Sequence, residues 1–247
     1  MNKIAIIIPS RLNAQRLPNK PLKLINKKEM ILHVYEAAIN SKVGNVYVAT
    51  PDQKIFETIK SAGGEVIKTS NDHKTGTDRV YEVFNQTLNQ EPEIIINLQG
   101  DMPNIDSNSI SHLVSYMKEK KCDIGTLASK LKSNDEIKDQ NIVKAVVKDE
   151  ISSNKFSEAK DFLRKGDDLN DNLYHHIGIY AFTNKALVRY VSLERSRLEL
   201  ERKLEQLRAL ENKMSIHVGY VEAAPLSVDT EEDLIEIKKL MEKRWKN

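Results

Sequence analysis

The sequence predicts an α/β protein built on a mostly parallel sheet with helices on both faces. Two observations carry that class. The runs Ile4-Ala5-Ile6-Ile7-Ile8 and Ile94-Ile95-Ile96-Asn97-Leu98 are short, almost wholly apolar and rich in β-branched residues, as strands buried on both faces are. Between them, helical and strand patterns alternate in a βαβαβ rhythm.

The elements follow in order. Glu29 to Ser41 reads as a helix with Met30, Val34, Ala37 and Ala38 on one face. Val46 to Thr50 is a strand ended by Pro51-Asp52, and Lys54 to Ala62 is a helix stopped by Gly63-Gly64. Glu65 to Lys68 is a short strand, and Thr77 to Leu88 is expected to be a helix capped by its own threonine. In the second half, Gly125 to Leu131, Val143 to Lys148 and Ile177 to Phe182 look like strands. The polar stretch Asp149 to Leu173 is expected to be a loop with short helical pieces. Leu198 to Asn212 is expected to be one long helix with an apolar stripe at Leu200, Leu204, Leu207 and Leu210. Ile216 to Val221 is a strand. Thr230 to Lys243 is a helix with Glu231, Glu232 and Asp233 in its first turn, where the macrodipole favours acids. With no internal repeat or low-complexity linker, residues 1–247 are expected to form a single domain with an elaborated edge.

Composition excludes several classes. Charged residues make up 30% and the net charge is +2, too small for nucleic-acid binding by bulk electrostatics. No apolar stretch approaches the roughly 20 residues of a membrane span. The five-residue run before Pro9 is too short for a signal peptide. Cys122 is the only cysteine, so no internal disulfide forms, and a cytoplasmic location is expected.

Four segments can carry chemistry. After the first strand, Ser10 to Leu22 holds Arg11, Arg16 and Lys20 with no acid among them, an anion site at the edge where open α/β sheets bind ligands. A solvated basic loop is the plainer alternative. After the other apolar strand, Gln99-Gly100-Asp101 places a carboxylate at the same edge. Asp101 is either a magnesium ligand beside bound phosphates or a turn residue capping the helix near Ser107. Ser70 to Arg79 is a polar turn before a helix, suited to reading a nucleobase edge or simply well capped. Asp229 is a helix N-cap unless it supplies a second carboxylate to a metal held by Asp101.

Together these segments resemble a known family. Ile8-Pro9-Ser10-Arg11 and Arg16-Leu17-Pro18-Asn19-Lys20-Pro21-Leu22 resemble the N-terminal signature of sugar cytidylyltransferases. Val48-Ala49-Thr50, Gly63-Gly64-Glu65-Val66, Thr75-Gly76-Thr77-Asp78-Arg79, Gln99-Gly100-Asp101, His176-Ile177-Gly178-Ile179-Tyr180, Leu204-Glu205-Gln206-Leu207-Arg208 and Val228-Asp229-Thr230 narrow the resemblance to the 3-deoxy-manno-octulosonate cytidylyltransferase (CMP-Kdo synthetase) family. The resemblance implies a three-layer nucleotidyltransferase-type (Rossmann-like) fold with a smaller dimerisation and sugar-binding elaboration. It implies a reaction of CTP with Kdo, for lipopolysaccharide biosynthesis, in a Mg²⁺-dependent homodimer. By residue, it implies Arg11 and Lys20 on the CTP phosphates and Arg79 on the nucleotide side. Asp101 and Asp229 match the metal ligands, and Lys20, Arg11 and Asp101 the catalytic set. Arg16, Gln99, His176, Tyr180, Glu205 and Gln206 match positions that line the Kdo site. A cytidylyltransferase for a modified Kdo or a sialic-acid-type sugar, or a weakened nucleotide-binding relative, would share the CTP half.

The chain departs from the family at Met102, where relatives carry glutamate after Asp101, and at His175, where they carry arginine before the histidine. Glu158 also replaces an arginine. An acid there is expected to weaken attraction for an acidic sugar if Glu158 faces it.

Overall fold

The computed structural model describes residues 3–13, 16–119, 122–153, 155–166 and 172–244. They group into two compact units: residues 1–111 with 225–247, and residues 112–224.

In the first unit, β1 (Ile4–Pro9) is buried along its whole length, as its unbroken apolar run requires. A one-turn 3₁₀ helix at Lys20–Leu22 leads into the hairpin β2 (Leu24–Ile25) and β3 (Lys28–Glu29), then α1 (Met30–Asn40). β4 (Asn45–Thr50), α2 (Gln53–Ser61) and β5 (Val66–Lys68) follow. Gly63, at φ 76°, supplies the left-handed turn that ends α2. Next come α3 (Gly76–Glu82) and β6 (Ile94–Leu98), and α4 (Ser107–Glu119) starts in this unit and continues past residue 111 into the second. The strands of this unit lie in the order β5-β4-β1-β6, all parallel, with Ile8 beside Val48 and Ile6 beside Ile96. From β1 the chain builds outward through β4 to β5 and then returns to β6 on β1's other side. That reversal makes the carboxyl ends of β1 and β6 a topological switch point, where the two following loops part and leave a crevice.

The second unit contains β7 (Ile124–Lys130), α5 (Asn134–Lys138), β8 (Lys144–Val147), β9 (Ser157–Leu163) and β10 (Leu173–Thr183). It continues with α6 (Asn184–Ser192), α7 (Arg197–Arg202), α8 (Gln206–Glu211) and β11 (Ile216–Tyr220). Its strands run β10-β7-β11-β9-β8, and β8 also pairs with β10. Among the described residues of this unit, β7 and β11 pair in parallel and the other pairings are antiparallel. The chain then re-enters the first unit with α9 (Glu231–Arg244). Leu234, Ile237 and Met241 of α9 share a core cluster with Leu17, Ile25, Met30 and Val228.

Four local expectations are corrected. The helix expected from Thr77 to Leu88 is capped by Thr75: its hydroxyl accepts from the Asp78 amide and the Asp78 carboxylate answers the Thr75 amide. Thr77 is itself buried, and the α-helix gives way to a π turn at Val83–Thr87. The stretch expected to carry helical pieces contains β9 instead. The residues it turns inward first, Ser157 and Ala159, are small or polar, so hydropathy conceals its alternation. The single helix expected over Leu198–Asn212 is two helices, broken at Lys203 in left-handed conformation (φ 55°). The break lets Arg208 fold back onto Glu199, nine residues earlier, a separation no straight helix brings face to face. It also leaves Leu200, expected in the apolar stripe, 53% exposed.

Candidate active site

The crevice at the switch point is a cavity of about 710 Å³ lined entirely by residues of the first unit. Its lining includes Arg11, Arg16, Lys20, Arg79, Gln99, Asp101 and Asp229, so four elements far apart in sequence deliver their expected residues to one place.

Lys20 is the hub. Its Nζ lies 3.0 Å from Asp101 Oδ2 and 3.0 Å from Asp229 Oδ1. Asn19, at φ 56°, and Pro21 fix the tight turn that presents it. Burial alone would lower the Lys20 pKa, but the two carboxylates outweigh it and the net shift is upward. Arg16 Nη2 meets the other oxygen of Asp229 at 3.0 Å from a more exposed position. The backbone ties the two acids together as well, since the Val228 amide donates to the Asp101 carbonyl at 2.9 Å.

Neither acid is a helix cap. Asp106 takes that task before α4, accepting from the Asn108 amide at 3.1 Å. Before α9, Thr230 and Asp233 form the reciprocal pair: the Thr230 hydroxyl accepts from the Asp233 amide, and the Asp233 carboxylate accepts from the Thr230 and Asp229 amides. Asp101 and Asp229 are thereby left to the cavity. Two hard carboxylates converging on one cation beside a phosphate-sized space suit Mg²⁺, which takes one or two carboxylates and completes its shell with phosphate and water. Among the described residues, no group of three or more potential ligands forms a self-sufficient metal cage.

The remaining walls are held by polar networks. The Asp52 carboxylate accepts from the Leu12 amide at 2.8 Å and pins the cationic loop. Arg79 is only 3% exposed. Its Nη1 donates to the Ser70 carbonyl at 2.8 Å and to the Thr69 hydroxyl, so part of its fork holds the polar turn in place. Burial first, and the charge of Arg11 second, lower its pKa. His73, on that turn, pairs with Glu82. Gln99 Nε2 donates to Asn97 Oδ1 at 2.8 Å, and Asn97 Nδ2 donates to the Thr77 hydroxyl at 3.1 Å, which sets the glutamine's orientation. A Cβ at Gly76 would come 3.3 Å from Pro9 and 3.4 Å from Gln99, so a larger residue would require this wall to give by a few tenths of an ångström. Met102 is 3% exposed and absent from the lining, so that departure falls on the core side of the turn.

The other expected residues, His176, Tyr180, Glu205 and Gln206, lie in the second unit. His176 packs edge-on against Phe162 at 5.0 Å and lies 5.5 Å from the Tyr180 ring. Burial, then His175, push the His176 pKa down to about 3, so its imidazole is neutral at ordinary pH. Its Nε2 lies 2.9 Å from the hydroxyl of fully buried Thr126, which also contacts the Ile179 carbonyl at 2.7 Å and the Ile177 carbonyl at 3.2 Å. A hydroxyl has one proton. Carbonyls cannot give one, so the Thr126 proton goes to Ile179 and Nε2 carries the ring hydrogen. Nδ1 is then the acceptor. These contacts occupy the bulge between Ile177 and Tyr180 on β10. The Tyr180 pKa is pushed well above its usual value by burial, then by the Glu205 charge, so its hydroxyl stays a donor. Gln206 is 7% exposed at the start of α8. The Glu199–Arg208 pair beneath it is bidentate, at 2.7 and 2.8 Å.

Glu158 is exposed. Ser157, Ala159 and, past the register shift in β9, Phe162 share the buried face that reaches His176. Glu158 faces the opposite way. Its exposed face is thus not the one that reaches His176.

Sequence reasoning missed Thr126, Asp52 and the Glu199–Arg208 pair. A threonine in a strand carries no signal beyond β-propensity, and Asp52 reads as an ordinary strand end. Arg208 stood in a quoted motif, yet its partner nine residues away follows no helical spacing.

Comparison with known proteins gives a consistent picture. The cytidylyltransferase family profile matches residues 5–216. The chain is similar to the 3-deoxy-manno-octulosonate cytidylyltransferase of Thermodesulfovibrio yellowstonii, 41% identical over 239 residues (92% of this chain, 94% of the relative). It is likewise 41% identical over 241 residues to the protein of that name from Bartonella tribocorum (96% and 97%). Among solved structures it resembles CMP:2-keto-3-deoxy-manno-octonic acid synthetase complexed with CTP, with a TM-score of 0.88 and 35% identity over 98% of this chain and 99% of the other.

Proposed function

The chain belongs to the 3-deoxy-manno-octulosonate cytidylyltransferase family, and from that premise we propose how its residues join CTP to Kdo, giving CMP-Kdo and pyrophosphate. The observation that carries the assignment of roles is the cavity in which Lys20, Arg11 and Arg16 meet Asp101 and Asp229.

Nucleotidyl transfer needs positioning and charge neutralisation more than covalent help from the protein. The Kdo anomeric hydroxyl attacks the α-phosphorus in line with departing pyrophosphate. Arg11 and Lys20 hold the phosphates and offset charge that grows on the leaving group. Asp101 and Asp229 would hold a magnesium ion, whose chemistry here is to neutralise phosphate charge and favour ionisation of the attacking hydroxyl. Arg79 keeps the turn from Ser70 to Thr75 in shape for the cytosine. Arg16 and Gln99, which line the cavity of the first unit, are assigned to the sugar, and His176, Tyr180, Glu205 and Gln206 of the second unit are assigned to it from the family resemblance alone. An imidazole with a pKa of about 3 is too weak a base to accept the hydroxyl proton near neutrality, so His176 orients a sugar hydroxyl through its Nδ1 lone pair. Homodimerisation and a cytoplasmic location belong to the same proposal. They are supported by the family and by a nucleotide substrate. No helix among the described residues is long and apolar enough to cross a membrane.

The test is pyrophosphate release by the purified chain with CTP, Mg²⁺ and Kdo, run beside sialic acid. Turnover with Kdo well above the other sugar supports the assignment. Turnover with neither sugar, while CTP still binds, would point instead to a weakened nucleotide-binding relative.

A further inference from the structure

We propose that the Lys20 ammonium is an internal counter-cation that competes with a divalent metal for Asp101 and Asp229, so the carboxylates take up the metal as nucleotide phosphates draw the lysine away. This rests on the roles just assigned to Lys20 and the two acids, and it adds a coupling between them.

The geometry is specific. One ammonium bridges one oxygen of each carboxylate at 3.0 Å, and its side chain is 16% exposed. A cation coordinated by both acids must share them with this ammonium or displace it. Two adjacent carboxylates with no cation between them would repel at close range, so Lys20 offsets part of that repulsion. Arg16 does not substitute for it: it meets Asp229 alone, with a side chain 58% exposed and screened by solvent. Lys20 also has a second destination in the same cavity. A triphosphate there offers the ammonium oxygens that the carboxylates then release to the metal. Metal and nucleotide thus each improve the other's binding, as linkage requires.

The size of the effect follows from occupancy. If the bridged arrangement fills about 90% of the population, apparent metal affinity falls about tenfold below its intrinsic value. Lys20→Met keeps most of the stem and removes the charge. Binding of Mn²⁺ to the chain without nucleotide, read from the free-ion signal in electron paramagnetic resonance, should tighten about tenfold in Lys20→Met. Arg16→Met should tighten it by about threefold or less. Adding Asp101→Asn to Lys20→Met should abolish the gain. In thermal melts, Mn²⁺ should raise the midpoint of Lys20→Met more than that of the unaltered chain, a readout that also shows the variant is folded. The two ideas fail differently. If Lys20→Met binds Mn²⁺ no tighter than the unaltered chain, yet Asp101→Asn weakens binding, the metal assignment stands and the competition is overturned. If Asp101→Asn changes Mn²⁺ binding in neither background, the metal assignment falls and the proposal with it.

Discussion

Removing Arg208 should do more damage than removing any other single arginine in the second unit, and the structure says how much. Arg208 and Glu199 have side chains 4% and 0% exposed. Arg208→Met deletes the 2.8 and 2.7 Å bonds to both carboxylate oxygens and the stacking of the guanidinium 4.6 Å over Tyr190. Glu199 keeps Arg195, at 2.8 Å and 44% exposed, and the Ser196 amide. Losing one partner of a buried pair costs about 3–5 kcal/mol, mostly because the other charge stays buried and under-compensated. At about 2–4 °C per kcal/mol for a chain of this size, the melting midpoint should fall by roughly 6–20 °C. Urea titration gives the free energy directly, read where different probes coincide. The loss should shrink at acid pH. Burial acts to raise the Glu199 pKa, but the bonds from Arg208 and Arg195 prevail and hold it below its usual 4.5. A carboxylate with a depressed folded pKa stabilises above its unfolded value and loses that contribution as pH falls through the folded one. The double variant Arg208→Met with Glu199→Leu should recover part of the loss, because no orphaned charge remains. A cost below 1 kcal/mol, or a double variant no better than the single, would refute this account. Since Glu205 and Gln206 sit between the Lys203 turn and Arg208, the KM for Kdo should rise while that for CTP holds.

Three further outcomes are expected. Asp101→Asn should raise the Mg²⁺ concentration needed for half-maximal activity and cut turnover by about 10²-fold, with metal-free CTP binding little changed by calorimetry; an unaltered Mg²⁺ requirement would remove Asp101 from the metal. Nitrogen NMR of the His176 ring at pH 6 should show a neutral imidazole protonated on Nε2, and Thr126→Val should mix the tautomers while Thr126→Ser restores them; a protonated ring, or one protonated on Nδ1, would contradict the hydrogen-bond assignment. Glu158→Arg should leave the KM of both substrates within about twofold, as for an exposed surface charge; a marked drop in the Kdo constant would place that residue at the sugar after all.

The parallel strands were legible because β1 and β6 announce themselves as apolar runs, and their following loops hold the cations and Asp101. The capping of α4 and α9 was not legible. Each helix start carries more than one acid, and local sequence does not say which acid turns toward the backbone and which toward the cavity. The break at Lys203 was hidden because Leu, Glu, Lys and Arg are all good helix formers, and a buried ion pair nine residues apart overrode their propensity. β9 was hidden for the opposite reason: Ser157 and Ala159 pack inward without looking hydrophobic. The residues that bear the expected chemistry were thus easier to find than those that hold them in position.

The bridge through Lys20 also sets an order in time. Asp229 lies 209 residues beyond Lys20 and Asp101 only 81, and α9 folds back to share the core around Leu17, Ile25 and Met30. On a ribosome adding about 5–20 residues per second, the cationic loop waits roughly ten seconds or more for its second acid. During that interval strands β1 to β6 can pair, and of the two acids that bridge Lys20 only Asp101 has yet been made.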